Sequence, residues 1–204
     1  MGKVKASQPT VLVTGGSGEI GSAICQKFAQ HGYAVIATYQ SNQAKAELLL
    51  EKLGEGNHSI FQASTTDAEA LVKLKDFITE RYGNLNVLVN NAGFSRNGVA
   101  ESFTTTDVQE LFDINVFAPW RLMKLVLPLM RKQSEGLIIN ITSGFGAVSF
   151  PFATMYSASK FALEGISEGL HYEVRPLGVD IAILQPGAFP TEMSQKFNPG
   201  SDVS

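Results

Sequence analysis

The chain has 204 residues, with 44% hydrophobic and 17% charged side chains, which is the make-up of a soluble globular protein with room for one full core. A net charge of −3 gives no electrostatic reason to bind nucleic acid or an anionic membrane. Cys25 is the sole cysteine, so there is no internal disulfide framework, and His31, His58 and His171 are too scattered to form a metal site.

The expectation is one domain over 1–204, with 1–8 and 195–204 flexible, in the cytoplasm. No apolar run is long enough to span a membrane, and the polar start, Met1 to Gln8, lacks a signal-peptide core. The three histidines read as surface or loop residues. Asn57-His58-Ser59 fits a glycosylation acceptor, but without signs of secretion it is read as silent.

Thr10 to Thr14 is a short β-branched apolar run, as in a buried parallel strand. Gly15-Gly16-Ser17-Gly18-Glu19-Ile20-Gly21 follows, and Ser22 to His31 then carries Ile24, Phe28 and Ala29 at helical spacing. Strand, glycine turn and helix together make a phosphate-binding unit. Glycines let the backbone approach a pyrophosphate, and the helix start offers N–H groups and partial positive charge. A P-loop does not fit, because Ser22 stands where its lysine belongs. A hydrolase elbow does not fit either, because Glu19 replaces a required glycine.

Gly32 to Tyr39 reads as a turn and second strand. Its end, Tyr39-Gln40-Ser41-Asn42, holds no acid to select NAD and no arginine to hold a 2′-phosphate; this leans to NADP, with NAD possible. A helix is expected over Gln43–Leu53 and a strand over 59–63. Thr66-x-x-Glu69 fits a capping box for a helix reaching Tyr82. Leu85 to Val89 is a fourth strand, followed by Asn90-Asn91-Ala92-Gly93. Alternating strands and helices predict a doubly wound α/β fold with a parallel sheet.

Thr106-x-x-Gln109 is expected to cap a long helix to about Lys132, kinked near Pro119. Inside it, Asn115 either satisfies backbone or serves the site. Leu137 to Ile141 is a fifth strand, ending at Ser143, which is a turn serine or a site residue beyond a strand end. Phe145, Val148 and Phe150 suit an apolar pocket wall and equally a packed loop.

Tyr156 and Lys160 are four apart and share a face of the next helix, expected to run to about Arg175. An ammonium beside a phenol favours the phenolate and tunes the tyrosine towards acid–base work. Plain helix surface is the other reading. Ala158, Ala162, Gly165 and Gly169 form a small-residue stripe on this helix, for a subunit contact or for internal packing. Asp180 to Leu184 is a sixth strand, before Pro186-Gly187-Ala188-Phe189-Pro190-Thr191.

From Val11 to Thr191 these motifs, in this order, resemble the short-chain dehydrogenase/reductase family. The resemblance implies a Rossmann-type sheet in order 3-2-1-4-5-6, a nicotinamide cofactor and a small alcohol or carbonyl substrate. It implies Tyr156 as general acid/base, Lys160 on the nicotinamide ribose, Ser143 on the reacting oxygen, and Asn115 holding a water that links Lys160 to solvent. Cofactor contacts would come from Gly15, Ser17, Gly18, Ile20, Gly21, Tyr39, Gln40, Ser64, Thr65, Asn91, Ala92, Gly93, Tyr156, Lys160, Pro186, Gly187, Phe189 and Thr191. No metal is implied, and a homodimer or homotetramer is.

Three positions depart from the family pattern. Glu19 replaces the middle glycine of the loop, so that Gly15-x-x-Gly18-x-x-Gly21 looks like the longer epimerase-type branch. Ser64 replaces an adenine-contacting aspartate. The substrate-covering segment usual after Thr191 is expected to be lacking. The leading expectation is an oxidoreductase that interconverts a secondary alcohol and a carbonyl. A dinucleotide-binding protein with little or no catalysis is the alternative, and a sugar-nucleotide epimerase rests on Gly18 alone.

Overall fold

The computed structural model describes residues 8–187. Apolar β-branched runs form six strands: β1 (Thr10–Val13), β2 (Ala34–Tyr39), β3 (Ser59–Gln62), β4 (Val87–Asn90), β5 (Gly136–Ile141) and β6 (Val179–Leu184). All pair in parallel, in the order β3-β2-β1-β4-β5-β6. The helices are α1 (Glu19–Gln30), α2 (Gln43–Leu53), α3 (Ala68–Tyr82), α4 (Thr105–Phe112), α5 (Ala118–Gln133) and α6 (Thr154–Val174).

Period-two alternation divides the core. Val11, Val13, Val35, Val87 and Val89 pack on one face of the sheet with Cys25 of α1 and Leu49 of α2. Leu12, Ile36, Leu88 and Ile138 face the other way, onto Leu71 and Leu74 of α3, Met123 of α5 and Leu170 of α6. Strands buried on both faces are mostly apolar, which explains the apolar runs 11–13 in β1, 34–37 in β2 and 87–89 in β4. Chain order and strand order reverse between β1 and β4, so a crevice opens at the carboxyl ends of those strands.

Several local expectations are corrected. Asp67, not Thr66, caps α3, by accepting from the Glu69 and Ala70 N–H groups at 2.9 and 3.1 Å. Thr104 and Asp107, rather than Thr106 and Gln109, form the capping box of α4. The expected single helix from there to Lys132 is two helices joined by a π turn, Asp113–Phe117, with Pro119 in the first turn of α5. The backbone stays helical through this turn, where the Ala118 N–H donates to the Asp113 carbonyl five residues back. His58 is buried rather than superficial: its Nδ1 accepts the Val35 N–H at 3.1 Å.

Among the described residues no helix is long and apolar enough to cross a membrane, and no cluster of three acidic, histidine or cysteine side chains could hold a metal ion.

Candidate active site

One cleft of about 760 Å³ runs along the carboxyl ends of the strands, from Tyr39 and Gln40 to Ser143 and Tyr156. Its size is that of a small-molecule or cofactor site. The glycine turn forms its floor. Gly15 has φ +61°, which a side chain disfavours. A Cβ on Gly21 would come within 2.3 Å of the Gly15 carbonyl oxygen, so only glycine lets α1 start this close to β1. No side chain caps α1, and Gly15, Ser17, Gly18, Ile20 and Gly21 all line the cleft. Its open N–H groups and helix dipole suit a pyrophosphate, so the residues present fit a dinucleotide. Glu19 is exposed in the first turn of α1 and also borders the cleft.

Tyr39, Gln40, Ser64 and Thr65 line the adenosine end. Asn42 caps α2 by accepting the Lys45 N–H at 2.9 Å. Asn91, Ala92 and Gly93 line the middle. The Asn91 amide braces the turn, donating to the carbonyls of Thr14 at 2.9 Å and Gly15 at 3.3 Å. Thr14 returns the tie: its hydroxyl accepts the N–H groups of Asn91 and Ala92, both at 3.0 Å.

Ser143, Tyr156, Lys160, Pro186 and Gly187 converge at the far end. Ser143 follows β5, and Gly144 N–H donates to the Pro186 carbonyl at 3.1 Å, which holds the segment after β6 beside it. Phe189 and Thr191 lie outside the described residues. Lys160 is 5% exposed, with Nζ donating to the Ile141 carbonyl at 3.1 Å and lying 5.8 Å from the centre of the Tyr156 ring. Burial lowers its pKa to about 8, against a smaller upward pull from Glu164. Burial raises the Tyr156 pKa, and hydrogen bonding with Ser143 works against the rise. The spacing argument predicts a lowered phenol pKa; here desolvation outweighs the Ser143 hydrogen bond and the pKa rises.

Asn115 sits in the π turn, 1% exposed, and lines no part of the cleft. Its amide donates to the Phe94 carbonyl at 2.9 Å and to Ser159 Oγ at 3.1 Å, while its oxygen accepts the Phe94 N–H at 3.1 Å. Ser159 in turn donates to the Tyr156 carbonyl at 2.7 Å. Asn115 therefore satisfies backbone and also ties the cleft wall to α6.

Sequence reading missed a second buried network. Asn90 and Asn140 are register partners on β4 and β5. Asn90 Nδ2 donates to Asn140 Oδ1 at 2.8 Å, and Asn140 Nδ2 donates to Ser167 Oγ at 2.7 Å. Ser167 lies two turns beyond Lys160, so this network fixes α6 against the sheet. Polar residues at strand positions that pattern demands be apolar were the available signal.

The profile of the short chain dehydrogenase family matches residues 9–202. The chain belongs to that family. It is 33% identical over 191 residues to the 3-ketodihydrosphingosine reductase of Bacteroides thetaiotaomicron, covering 92% of this chain and 66% of that one. It thus spans just under two thirds of that relative. A short-chain dehydrogenase from Streptomyces avermitilis superposes with a TM-score of 0.85 at 38% identity, over 91% of this chain and 68% of the other. ElxO with NADP bound gives 0.86 at 33% identity, over 93% and 77%.

Proposed function

We propose that this short-chain dehydrogenase uses NADP to interconvert a secondary alcohol and a carbonyl, with Tyr156 as general acid and base. The observation that carries the reading is one continuous cleft. It joins an uncapped helix start at the glycine turn to two hydroxyls, Ser143 and Tyr156, with a buried lysine beside them. NADP is favoured by the acid-free end of β2 and by the NADP found in ElxO.

When bound, the nicotinamide supplies or accepts a hydride at the reacting carbon. Ser143 donates a hydrogen bond to the carbonyl oxygen. Tyr156 gives that oxygen its phenolic proton in reduction and takes it back in oxidation. Lys160 supplies the positive charge that stabilises the resulting phenolate and holds the ribose hydroxyls. Asn115 is a positioning residue that acts through Phe94 and Ser159. A Cβ on Gly93 would stand 3.1 Å from Asn115 Oδ1 and 3.6 Å from Lys160 Nζ, so glycine keeps the gap between amide and ammonium open. We assign the relay water to that gap.

The protein is further proposed to work in the cytoplasm as a homodimer or homotetramer. Support comes from the single buried thiol, Cys25, and from the exposed Phe117, Trp120 and Phe161.

The test is a titration with NADPH, followed by its loss of absorbance with a panel of ketones and the reverse assay with secondary alcohols. Saturable turnover with at least one pair is expected. Tight cofactor binding with no turnover across the panel would leave the dinucleotide-binding protein without catalysis.

A further inference from the structure

Beyond Tyr156 the cleft is walled by Phe145. Phe145 stands edge-on to Tyr156, with ring centres 5.7 Å apart, and edge-on to Phe150 at 5.2 Å. Phe150 and Val148 are 53% and 52% exposed, so this row of apolar groups continues outward from the site into solvent. Exposing such side chains has a cost that a bound apolar group would relieve.

The wall is held in place. Phe145 N–H donates to Ser143 Oγ at 3.2 Å, so ring and site hydroxyl belong to one turn. Phe152 has φ +64°, a left-handed conformation that is unfavourable for a bulky residue by about 1–3 kcal/mol. Its carbonyl accepts the Gly98 N–H at 2.8 Å, which ties the segment after β5 to the segment after β4. The two sides of the cleft mouth are thereby joined.

Charge at this end points the same way. Arg96 is bound to Asp107, and to Glu110 at 3.1 Å, and its guanidinium lies 5.9 Å from the centre of the Phe94 ring. Lys160 is buried and bonded to Ile141. Glu110 itself lines the cleft. Among the described residues Lys160 is the one Lys or Arg that lines the cleft, and its Nζ is already bonded to the Ile141 carbonyl, while Glu110 is paired with Arg96. An anionic substrate would meet the Phe145 ring here and no uncommitted cation among the described residues, and would lose hydration without a counter-charge.

We propose that the substrate is an uncharged carbonyl compound, or the matching alcohol, with an aryl or similarly flat apolar group next to the reacting carbon. That group lies on Phe145, with Phe150 at its outer edge. The placement of the reacting oxygen rests on the oxidoreductase reading above; the apolar wall does not. In reduction the carbonyl carbon gains a hydride from NADPH and its oxygen gains the Tyr156 proton, giving the alcohol and NADP.

The test measures binding directly, by ligand-observed NMR on the NADP-saturated protein. Acetophenone is compared with benzoylformate, which keeps the ring and exchanges methyl for carboxylate, and with 2-butanone, which lacks the ring. Acetophenone is expected to bind at least tenfold more tightly than either. Phe150→Ser should weaken acetophenone about fivefold and Phe145→Leu about tenfold, with NADP affinity unchanged in both. Benzoylformate or 2-butanone binding as well as acetophenone would overturn the proposal, as would ring variants with undiminished affinity. Acetophenone binding without turnover would keep this inference and remove the oxidoreductase reading; turnover without aryl preference would do the reverse.

Discussion

Lys160 Nζ donates to the Ile141 carbonyl at 3.1 Å, and this bond anchors the ammonium to the end of β5. Helical spacing puts Lys160 and Tyr156 on one face, but the carboxyl end of β5 beneath α6 decides where the charge goes. In this arrangement burial governs both residues: it raises the phenol and lowers the lysine to about 8.

That burial has a stability consequence. The unfolded chain holds the Lys160 proton near 10.5, while the folded protein holds it only to about 8. The unfolded state therefore binds more protons between those values, and stability rises with pH across that window. Below it the full cost remains, about 3 kcal/mol by the linkage relation. Lys160→Met should raise the melting temperature at pH 7 while abolishing turnover. A melting temperature below the parent's would show that the Ile141 bond outweighs desolvation.

Tyr156→Phe keeps the ring beside Phe145 and removes only the hydroxyl. NADP affinity should persist while turnover falls by about 10²–10⁴, the usual worth of lost acid–base catalysis. Paired calorimetry and steady-state rates would check it. A variant as active as the parent on any accepted substrate removes Tyr156 from the mechanism.

Reduction should also depend on pH. Lys160 loses its proton at about 8, and with it the charge that stabilises the phenolate. The rate of ketone reduction at saturating NADPH is expected to fall as pH rises through that value. A flat profile from pH 6 to pH 9 would separate Lys160 ionisation from the chemical step.

His58 gives an opposite-end test. Its imidazole accepts the Val35 N–H, and burial lowers its pKa below 6.5. The unfolded state takes up a proton first as pH falls, so stability declines from about pH 7 downwards until the folded value is passed. Denaturant unfolding of the parent should show this loss, and His58→Gln, which does not titrate, should show less of it. Equal slopes in both proteins would place the acid sensitivity elsewhere.

Glu19 opens α1 from an exposed position, and Glu19→Gly should change NADP affinity by less than tenfold, or about 1.4 kcal/mol. A larger gain by calorimetry would place the carboxylate against the pyrophosphate.

The parallel sheet and the glycine-turn cradle were legible in the sequence, because strands buried on both faces are mostly apolar and a backbone this close to α1 admits only glycine; the strand order came with the family resemblance. Tyr156, Lys160, Ser143 and the residues of the turn could likewise be picked out as groups that line one cleft, since each belongs to a short motif at a strand end or helix start. Only the tertiary structure decided the rest. Thr104 and Asp67 won their caps over equally eligible neighbours because each lies where its helix actually leaves the preceding loop. The π turn at Asn115 left no mark on hydrophobic periodicity, since one extra residue shifts the pattern less than a turn. Asn90, Asn140 and Ser167 are far apart in sequence, and only strand register makes them partners. The direction of the Tyr156 and Lys160 pKa shifts came from burial, a property of everything packed around them rather than of the four-residue interval that brought them together.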